Sequence, residues 1–157
     1  MIYTTNYRSP IGSMLLAATE DALIGAWFEG QKYYAEGVGD SCCEENAVLL
    51  AAKGWLDRYF AGKKPEISEL PLAPMGSAFR KSVCAQMCAI PYGETVTYGQ
   101  IAARLNCRSA QAVGGAVGHN SISVIIPCHR VLGAGDSMTG YAGGIDRKQF
   151  LLELERD

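Results

Sequence analysis

The sequence has little net charge and no long apolar run, and these two absences exclude two classes of protein. Its 157 residues carry 14 Lys and Arg against 16 Asp and Glu, a formal net charge of −2. A protein that binds nucleic acid over its whole surface usually has a basic excess. The longest apolar stretches, such as Ala47 to Ala52 and Ser121 to Pro127, are far shorter than the ~20 residues of a membrane-spanning helix. We therefore expect no membrane-embedded segment.

A secretory signal, CxxC pairs and histidine clusters are also missing. The N-terminus, MIYTTNYRSP, has neither the basic start nor the apolar core of a signal peptide, which predicts a cytoplasmic protein. In that reducing compartment the six cysteines are expected to remain thiols. Only His119 and His129 could complete a metal site, so the sequence predicts no structural metal and gives no sign of a cofactor.

The small net charge hides an uneven distribution along the chain. Residues 80–130 contain five basic side chains and a single acid, Glu94, whereas residues 1–79 contain ten acids and six basic residues. A basic segment inside an acidic protein suits a local contact with a polyanion. An ordinary solvated surface is the alternative, and on charge alone it is favoured.

The N-terminal half has the pattern of a small antiparallel sheet with a helical cover. Three short β-prone runs are separated by turn residues: Tyr3 to Tyr7, Ser13 to Ala18 and Ala22 to Phe28. Apolar residues at helical spacing predict a covering helix over Glu44 to Phe60. Three prolines in Lys63 to Met75 predict an extended crossing segment. We place a lobe boundary there, giving lobes of residues 1–75 and 76–157.

The C-terminal half predicts three helices, each with a side chain that can cap its N-terminus. The caps and helices are Ser77 with a helix through Ala89, Thr97 with Tyr98 to Leu105, and Ser109 with a helix to about Gly118. The last two are joined by a short polar turn, as in a helix-turn-helix motif. In the third helix nearly every side chain is small. Such a surface lets a backbone approach either a DNA groove or another element of the core, and both interpretations remain open.

A cysteine flanked by basic residues follows the run Ser123 to Ile126, which we predict to be a short buried strand. Cys128 precedes His129 and Arg130 in the tetrapeptide PCHR. Positive neighbours stabilise a thiolate, so a lowered pKa and a nucleophilic role are expected for this thiol. An inert, buried packing residue is the common alternative for a single cysteine.

The run IIPCHRV, the GYAGG that follows it and the helix DRKQFLLELE together resemble the signature of the O6-alkylguanine-DNA alkyltransferases, also called methylated-DNA–protein-cysteine methyltransferases. IPYGETVTYGQIAARL and AVGGAVGHN are similar to further blocks of that family, and the first half is similar to the N-terminal lobe of its bacterial members. The resemblance implies an α+β fold. An antiparallel-sheet, ribonuclease H-like N-terminal lobe would precede a mostly helical lobe with a winged helix-turn-helix-like motif.

The resemblance also implies a reaction, a partner and a set of roles. A monomer would bind double-stranded DNA and move an alkyl group from O6-alkylguanine irreversibly to Cys128 without a cofactor; O4-alkylthymine is a further candidate lesion. His129 would remove the thiol proton through a water, Glu155 would orient His129, Asn120 would hold the cysteine loop, and Tyr98 would donate a proton to the extruded base. The residues expected at the DNA or in the base pocket are Arg108, Ser109, Gln111, Ala112, Gly115, Arg130, Val131, Thr139 and Tyr141. Each of these has an ordinary structural alternative, such as packing for the tyrosines or a solvated acid for Glu155.

The chain departs from the family pattern in several places. Gln111 stands where an arginine normally fills the gap left by the extruded nucleotide, which predicts weaker duplex binding, since glutamine lacks the planar cation. The turn NCRS is one residue short, which either rotates the recognition helix or leaves Arg108 to take over part of that task. Thr139 replaces a frequent glycine and Cys84 a usual tryptophan.

Three rival functions belong to other classes. A protein that binds alkylated DNA without repairing it would lack the acceptor cysteine and keep the arginine, which is the opposite of this chain. A thiol hydrolase would also use a Cys-His pair. A transcription factor would explain the helix-turn-helix but leave the Cys-His-Arg run unused.

Overall fold

The N-terminal half of the chain forms a three-stranded antiparallel sheet covered by one helix. In the computed structural model, which describes residues 1–138 and 141–156, strands β1 (Tyr3–Ser9), β2 (Gly12–Ala18) and β3 (Leu23–Phe28) pair in chain order. The predicted meander is confirmed. Helix α1 (Ala47–Phe60) begins later than predicted because the Asn46 side chain caps it, accepting a hydrogen bond from the Leu49 amide at 2.9 Å.

The segment between the two halves runs beside β3. It is mostly extended, as expected, with one 3₁₀ turn at Ile67–Glu69. The Leu23 amide donates to Pro71 O and the Ala73 amide to Leu23 O, each at 2.8 Å. One continuous apolar core includes side chains from both sides of this segment. The division into lobes of residues 1–75 and 76–157 therefore stays a prediction about domains.

The C-terminal half is mostly helical, and the three predicted N-caps are confirmed. Its elements are α2 (Ala78–Cys88), β4 (Val96–Thr97), α3 (Tyr98–Arg104), α4 (Ala110–Gly118), β5 (Val131–Leu132) and α5 (Ile145–Glu155). Helix α4 packs against α2 and α3, which gives the helix-turn-helix arrangement. Strands β4 and β5 form a short parallel pair, so the start of α3 is tied to the chain that follows Cys128. No helix in the described ranges is both long and apolar enough to span a membrane.

The predicted strand over Ser123 to Ile126 is wrong, because this run is a compact turn. We refer to residues 120–127 as the cysteine loop. Val124 has φ 71°, which no strand residue adopts. The Asn120 side chain closes the loop: its Nδ2 donates to Ile122 O at 3.1 Å and to Ile126 O at 3.0 Å, and its Oδ1 accepts from the Ile122 amide at 3.1 Å. These bonds satisfy backbone groups that a strand would have paired with a neighbour.

Candidate active site

Cys128 opens the 3₁₀ turn Cys128–Arg130 directly after the cysteine loop, and its side chain is 4% exposed. Burial raises the pKa of the Cys128 thiol, while a hydrogen bond from Asn120, the positive charge of Lys148 and the hydroxyl of Tyr141 oppose that rise. The lowered pKa expected from the sequence is therefore wrong, because loss of hydration outweighs these three effects. A sulfur in this setting needs a base to become a nucleophile.

A histidine and a carboxylate, both fully or almost fully buried, lie next to this cysteine. Nε2 of His129 lies 2.6 Å from Oε2 of Glu155, the last residue of α5. An ionised carboxylate can only accept hydrogen bonds, so Nε2 carries the hydrogen in this contact. The second ring nitrogen, Nδ1, then has a free lone pair, and it forms no hydrogen bond with any residue in the described ranges. Glu155 thus fixes the tautomer in which Nδ1 is a base.

The Glu155 carboxylate is surrounded by hydrogen-bond donors. The Arg130 guanidinium donates to both of its oxygens, at 2.7 Å and 3.1 Å, and the Gly93 amide donates to Oε1 at 3.2 Å. The Tyr59 hydroxyl donates to Oε2 at 2.6 Å. Bidentate pairing with arginine is among the strongest contacts available to a buried carboxylate. The donors hold the carboxylate in place and keep it charged.

The pKa values follow from this geometry. Burial alone would raise the pKa of Glu155, but the hydrogen bonds from His129 and Arg130 and the positive charge of Arg130 lower it well below its usual range. Burial lowers the pKa of His129, against the raising effect of Glu155. At neutral pH the pair is therefore an ionised carboxylate and a neutral imidazole, which is the form that can accept a proton from a thiol.

A cavity opens between α3 and α4 on the same lobe. It has a volume of about 750 Å³, and its lining includes Tyr98, Gln111, Gly114 and Ala134. Tyr98 is half-buried, and burial together with the nearby Cys128 raises the pKa of its hydroxyl, so it remains protonated. A cavity of this size is in the range of sites that take small organic groups.

Among residues 1–138 and 141–156, no group of three His, Cys, Asp or Glu side chains is arranged to hold a metal ion. All six cysteines are free thiols.

Comparison with known proteins matches the two halves of the chain to two domains of one family. Residues 2–74 match the family model for the 6-O-methylguanine DNA methyltransferase ribonuclease-like domain, and residues 78–157 match the model for the DNA binding domain of the same family. The chain belongs to the 6-O-methylguanine DNA methyltransferase family. The resemblance predicted from the sequence is confirmed, and so is the α+β fold.

Individual relatives are similar over nearly their full length. The chain is 40% identical to the methylated-DNA–protein-cysteine methyltransferase of Haemophilus influenzae, over 99% of this chain and 87% of that one. It is 44% identical to that of Methanosarcina acetivorans, over 98% of each. A crystal structure of Mycobacterium tuberculosis OGT in complex with DNA superposes with a TM-score of 0.89 and 39% identity, covering 98% of this chain and 92% of that one.

The helix α4 of this methyltransferase fold presents an exposed face of small residues. Five of the residues expected at the DNA are exposed and lie close together in the chain: Arg108, Ser109, Gln111, Ala112 and Gly115. A Cβ added at Gly115 would meet no described atom within 4 Å, so packing inside the protein does not require glycine there. This favours close approach by an external partner over core packing as the reason for the small residues. The Ser109 hydroxyl also caps the helix, accepting from the Ala112 amide at 3.0 Å.

Three of the expected DNA and pocket residues are buried. Arg130 is 6% exposed and its guanidinium is bonded to Glu155 and, at 2.7 Å, to Ile90 O, so the expectation that it contacts DNA is wrong. Val131 is fully buried in β5 and Tyr141 is buried near Cys128, and their place in the base pocket stays a prediction. Thr139 and Gly140 lie outside the described residues.

Two buried residues near Cys128 and Glu155 are not among the site residues predicted from the sequence. Lys148 is fully buried, donates to Val131 O at 2.7 Å and lowers the pKa of the Cys128 thiol through its charge. Tyr59 reaches Glu155 from α1, in the other half of the chain. A lysine on a helix is usually exposed, so neither the residue type nor its position indicates that Lys148 is buried.

Proposed function

We propose that this chain repairs DNA by transferring the alkyl group of O6-alkylguanine to Sγ of Cys128, in a single irreversible event carried out by one molecule. The observation that carries the proposal is the buried contact between His129 and Glu155, which holds a neutral imidazole in the same 3₁₀ turn as Cys128. The relatives named for methyl transfer to a protein cysteine support the same reaction class.

The chemical step needs a base, a nucleophile and an acid. His129 accepts the thiol proton at Nδ1, through one water in our proposal, and Glu155 stabilises the imidazolium that forms. The sulfur then attacks the alkyl carbon: the S–C bond forms as the C–O6 bond breaks, and the bonding electrons leave with guanine. Tyr98, protonated and close to the cavity, donates a hydrogen bond to the leaving base as negative charge develops on it.

The lesion has to leave the base stack before the sulfur can reach it. Extruding a nucleotide costs a few kcal/mol, which contacts in the groove and in the cavity must supply. The exposed small-residue face of α4 gives the backbone close access to a groove, and the cavity between α3 and α4 lies beside it. Asn120 keeps the cysteine loop, which leads directly into Cys128, folded.

We place this reaction in the cytoplasm. The substrate is DNA, and six unpaired thiols suit a reducing compartment.

The direct test is the mass of one peptide after reaction with duplex DNA that contains O6-methylguanine. Trypsin releases Ser109 to Arg130, whose sole cysteine is Cys128. We expect this peptide to gain the mass of one CH₂ in a stoichiometric reaction, because the thioether is not hydrolysed. Cys128→Ala is the control and should gain nothing.

Two other outcomes would contradict the proposal. Binding of the lesion without any mass gain at saturating DNA would identify a recognition protein. Repeated turnover of an activated ester by the wild-type chain would identify a thiol hydrolase.

The substitution Gln111→Arg is expected to tighten duplex binding several-fold and to speed transfer at limiting DNA. Residue 111 is exposed on α4 and lines the cavity, where a guanidinium would add a positive charge and a planar donor set for the unpaired base. Electrophoretic mobility shifts and transfer rates at several salt concentrations measure the change. Ala103→Arg, on the exposed side of α3, controls for added charge alone. If both substitutions tighten binding equally, added charge alone explains the effect, and the proposed contact of residue 111 with the DNA is wrong.

A further inference from the structure

Tyr59 joins the N-terminal half of the chain to the reaction centre. Its ring is 1% exposed, stacked on Trp55 at 5.5 Å and in edge contact with Tyr92 at 6.2 Å. The hydroxyl donates to Oε2 of Glu155 at 2.6 Å and lies 3.4 Å from Nε2 of His129. The ring is therefore fixed on two sides, and its polar end lies at the contact between the carboxylate and the imidazole.

The oxygen that Tyr59 contacts is the one that orients the histidine. Nε2 of His129 also lies 2.6 Å from Oε2, so the two donors share this atom. Oε1 is held separately, by Nε of Arg130 at 2.7 Å and the Gly93 amide at 3.2 Å. Nη2 of Arg130 reaches Oε2 at a longer distance, 3.1 Å. Tyr59 thus supplies a short contact that keeps the Glu155 carboxylate from rotating Oε2 away from the His129 imidazole.

We propose that Tyr59 is a positioning residue for alkyl transfer: its hydroxyl holds the Glu155 oxygen that keeps His129 in the base tautomer. It touches neither the sulfur nor the DNA, and acts through Glu155. The inference rests on the proposed function and deepens it, because it makes the N-terminal half part of the proton-transfer machinery. Orientation of a base by a third group is a general requirement of nucleophile activation by histidine.

The test separates chemistry from binding. Tyr59→Phe removes only the hydroxyl, and we expect the transfer rate constant at saturating O6-methylguanine duplex to fall about tenfold, since a hydrogen bond to a charged group is lost. The dissociation constant for the duplex should stay within twofold of wild type, because residue 59 lies in the core. Rates are compared at a temperature where far-ultraviolet circular dichroism shows each variant fully folded.

A matched control exists in the same part of the fold. The Tyr7 hydroxyl donates to Oδ1 of Asp57, also on α1, at 2.7 Å, and Tyr7 is 9% exposed. Tyr7→Phe removes the same group from a comparable tyrosine–carboxylate contact remote from His129. We expect it to transfer at the wild-type rate. An equal slowing in both variants would show that loss of stability alone is responsible, and would overturn the proposal.

A double-mutant cycle tests whether Tyr59 acts through Glu155. In a Glu155→Gln background, the further change Tyr59→Phe should slow transfer less than twofold, because the oxygen it positions is already altered. Full multiplication of the two effects would overturn the proposal, and so would an unchanged rate in Tyr59→Phe alone. If the wild-type chain itself never methylates Cys128, the proposed function fails instead, so the two failures are distinguishable.

Discussion

Replacement of His129 by alanine is expected to slow alkyl transfer by about 10² to 10⁴-fold, which is the usual contribution of a general base. Burial raises the pKa of the Cys128 thiol, so few molecules hold a thiolate without the imidazole. Rapid quenching of single-turnover reactions, followed by the mass of the Cys128 peptide, measures the rate. Raising the pH should restore part of the lost transfer rate, because hydroxide can then remove the thiol proton in place of His129.

The other histidine provides the control for this substitution. His119 ends α4, where its ring stacks on Tyr33 at 3.7 Å, and it takes no part in the buried contacts around Glu155. His119→Ala should transfer at close to the wild-type rate. A His129→Ala variant that reacts as fast as wild type at pH 7 would mean that the thiol ionises without help, and the proposed role of the imidazole would be wrong.

Replacement of Glu155 by glutamine is expected to lower the free energy of unfolding by about 3–5 kcal/mol. The substitution leaves the Arg130 guanidinium, 6% exposed, without its counter-ion, and removal of one partner of a buried ion pair typically costs that much. Urea unfolding followed by circular dichroism measures the difference. The amide NH₂ cannot accept a hydrogen bond, so one of the two donor sets, Arg130 with Gly93 or Tyr59 with His129, also loses its acceptor.

Glu153→Gln makes the same chemical change on the exposed side of α5, two residues away. Its side chain contacts only Gln149, at 3.3 Å, among the hydrogen bonds of the described residues. An exposed substitution of this kind usually changes stability by less than about 0.5 kcal/mol. Equal stability of the two variants would show that the buried ion pair contributes nothing net, and that the carboxylate serves the reaction alone.

Most of the helices and strands could be predicted from short stretches of the sequence. Ser77, Thr97 and Ser109 each accept a backbone hydrogen bond at the start of a helix, as their type and position predicted. Capping depends on a side chain and a backbone amide three residues later, so it is visible in a short window. The contact between His129 and Glu155 was reachable only through the family resemblance, since 26 residues separate the two.

The errors arose where distant contacts decide the outcome. The apolar run before Cys128 looks like a strand, but the Asn120 side chain bonds three backbone groups of the cysteine loop and folds it into a turn. The resemblance placed Arg130 at the DNA or in the base pocket, yet Glu155 offers it a buried carboxylate. Tyr59 lies 96 residues from Glu155, and no periodicity or spacing in the chain indicates that the two meet.

The cysteine loop is joined to the edge of the N-terminal sheet by backbone hydrogen bonds. In β3, the Ala26 amide donates to Ser121 O at 2.7 Å and Ala26 O accepts from the Ser123 amide at 2.9 Å. Trimming the protein to its DNA-binding half would leave these loop groups without their sheet partners and open the apolar core to water. A miniature sensor or labelling tag built from this chain consequently has to retain both halves, although only one of them carries Cys128.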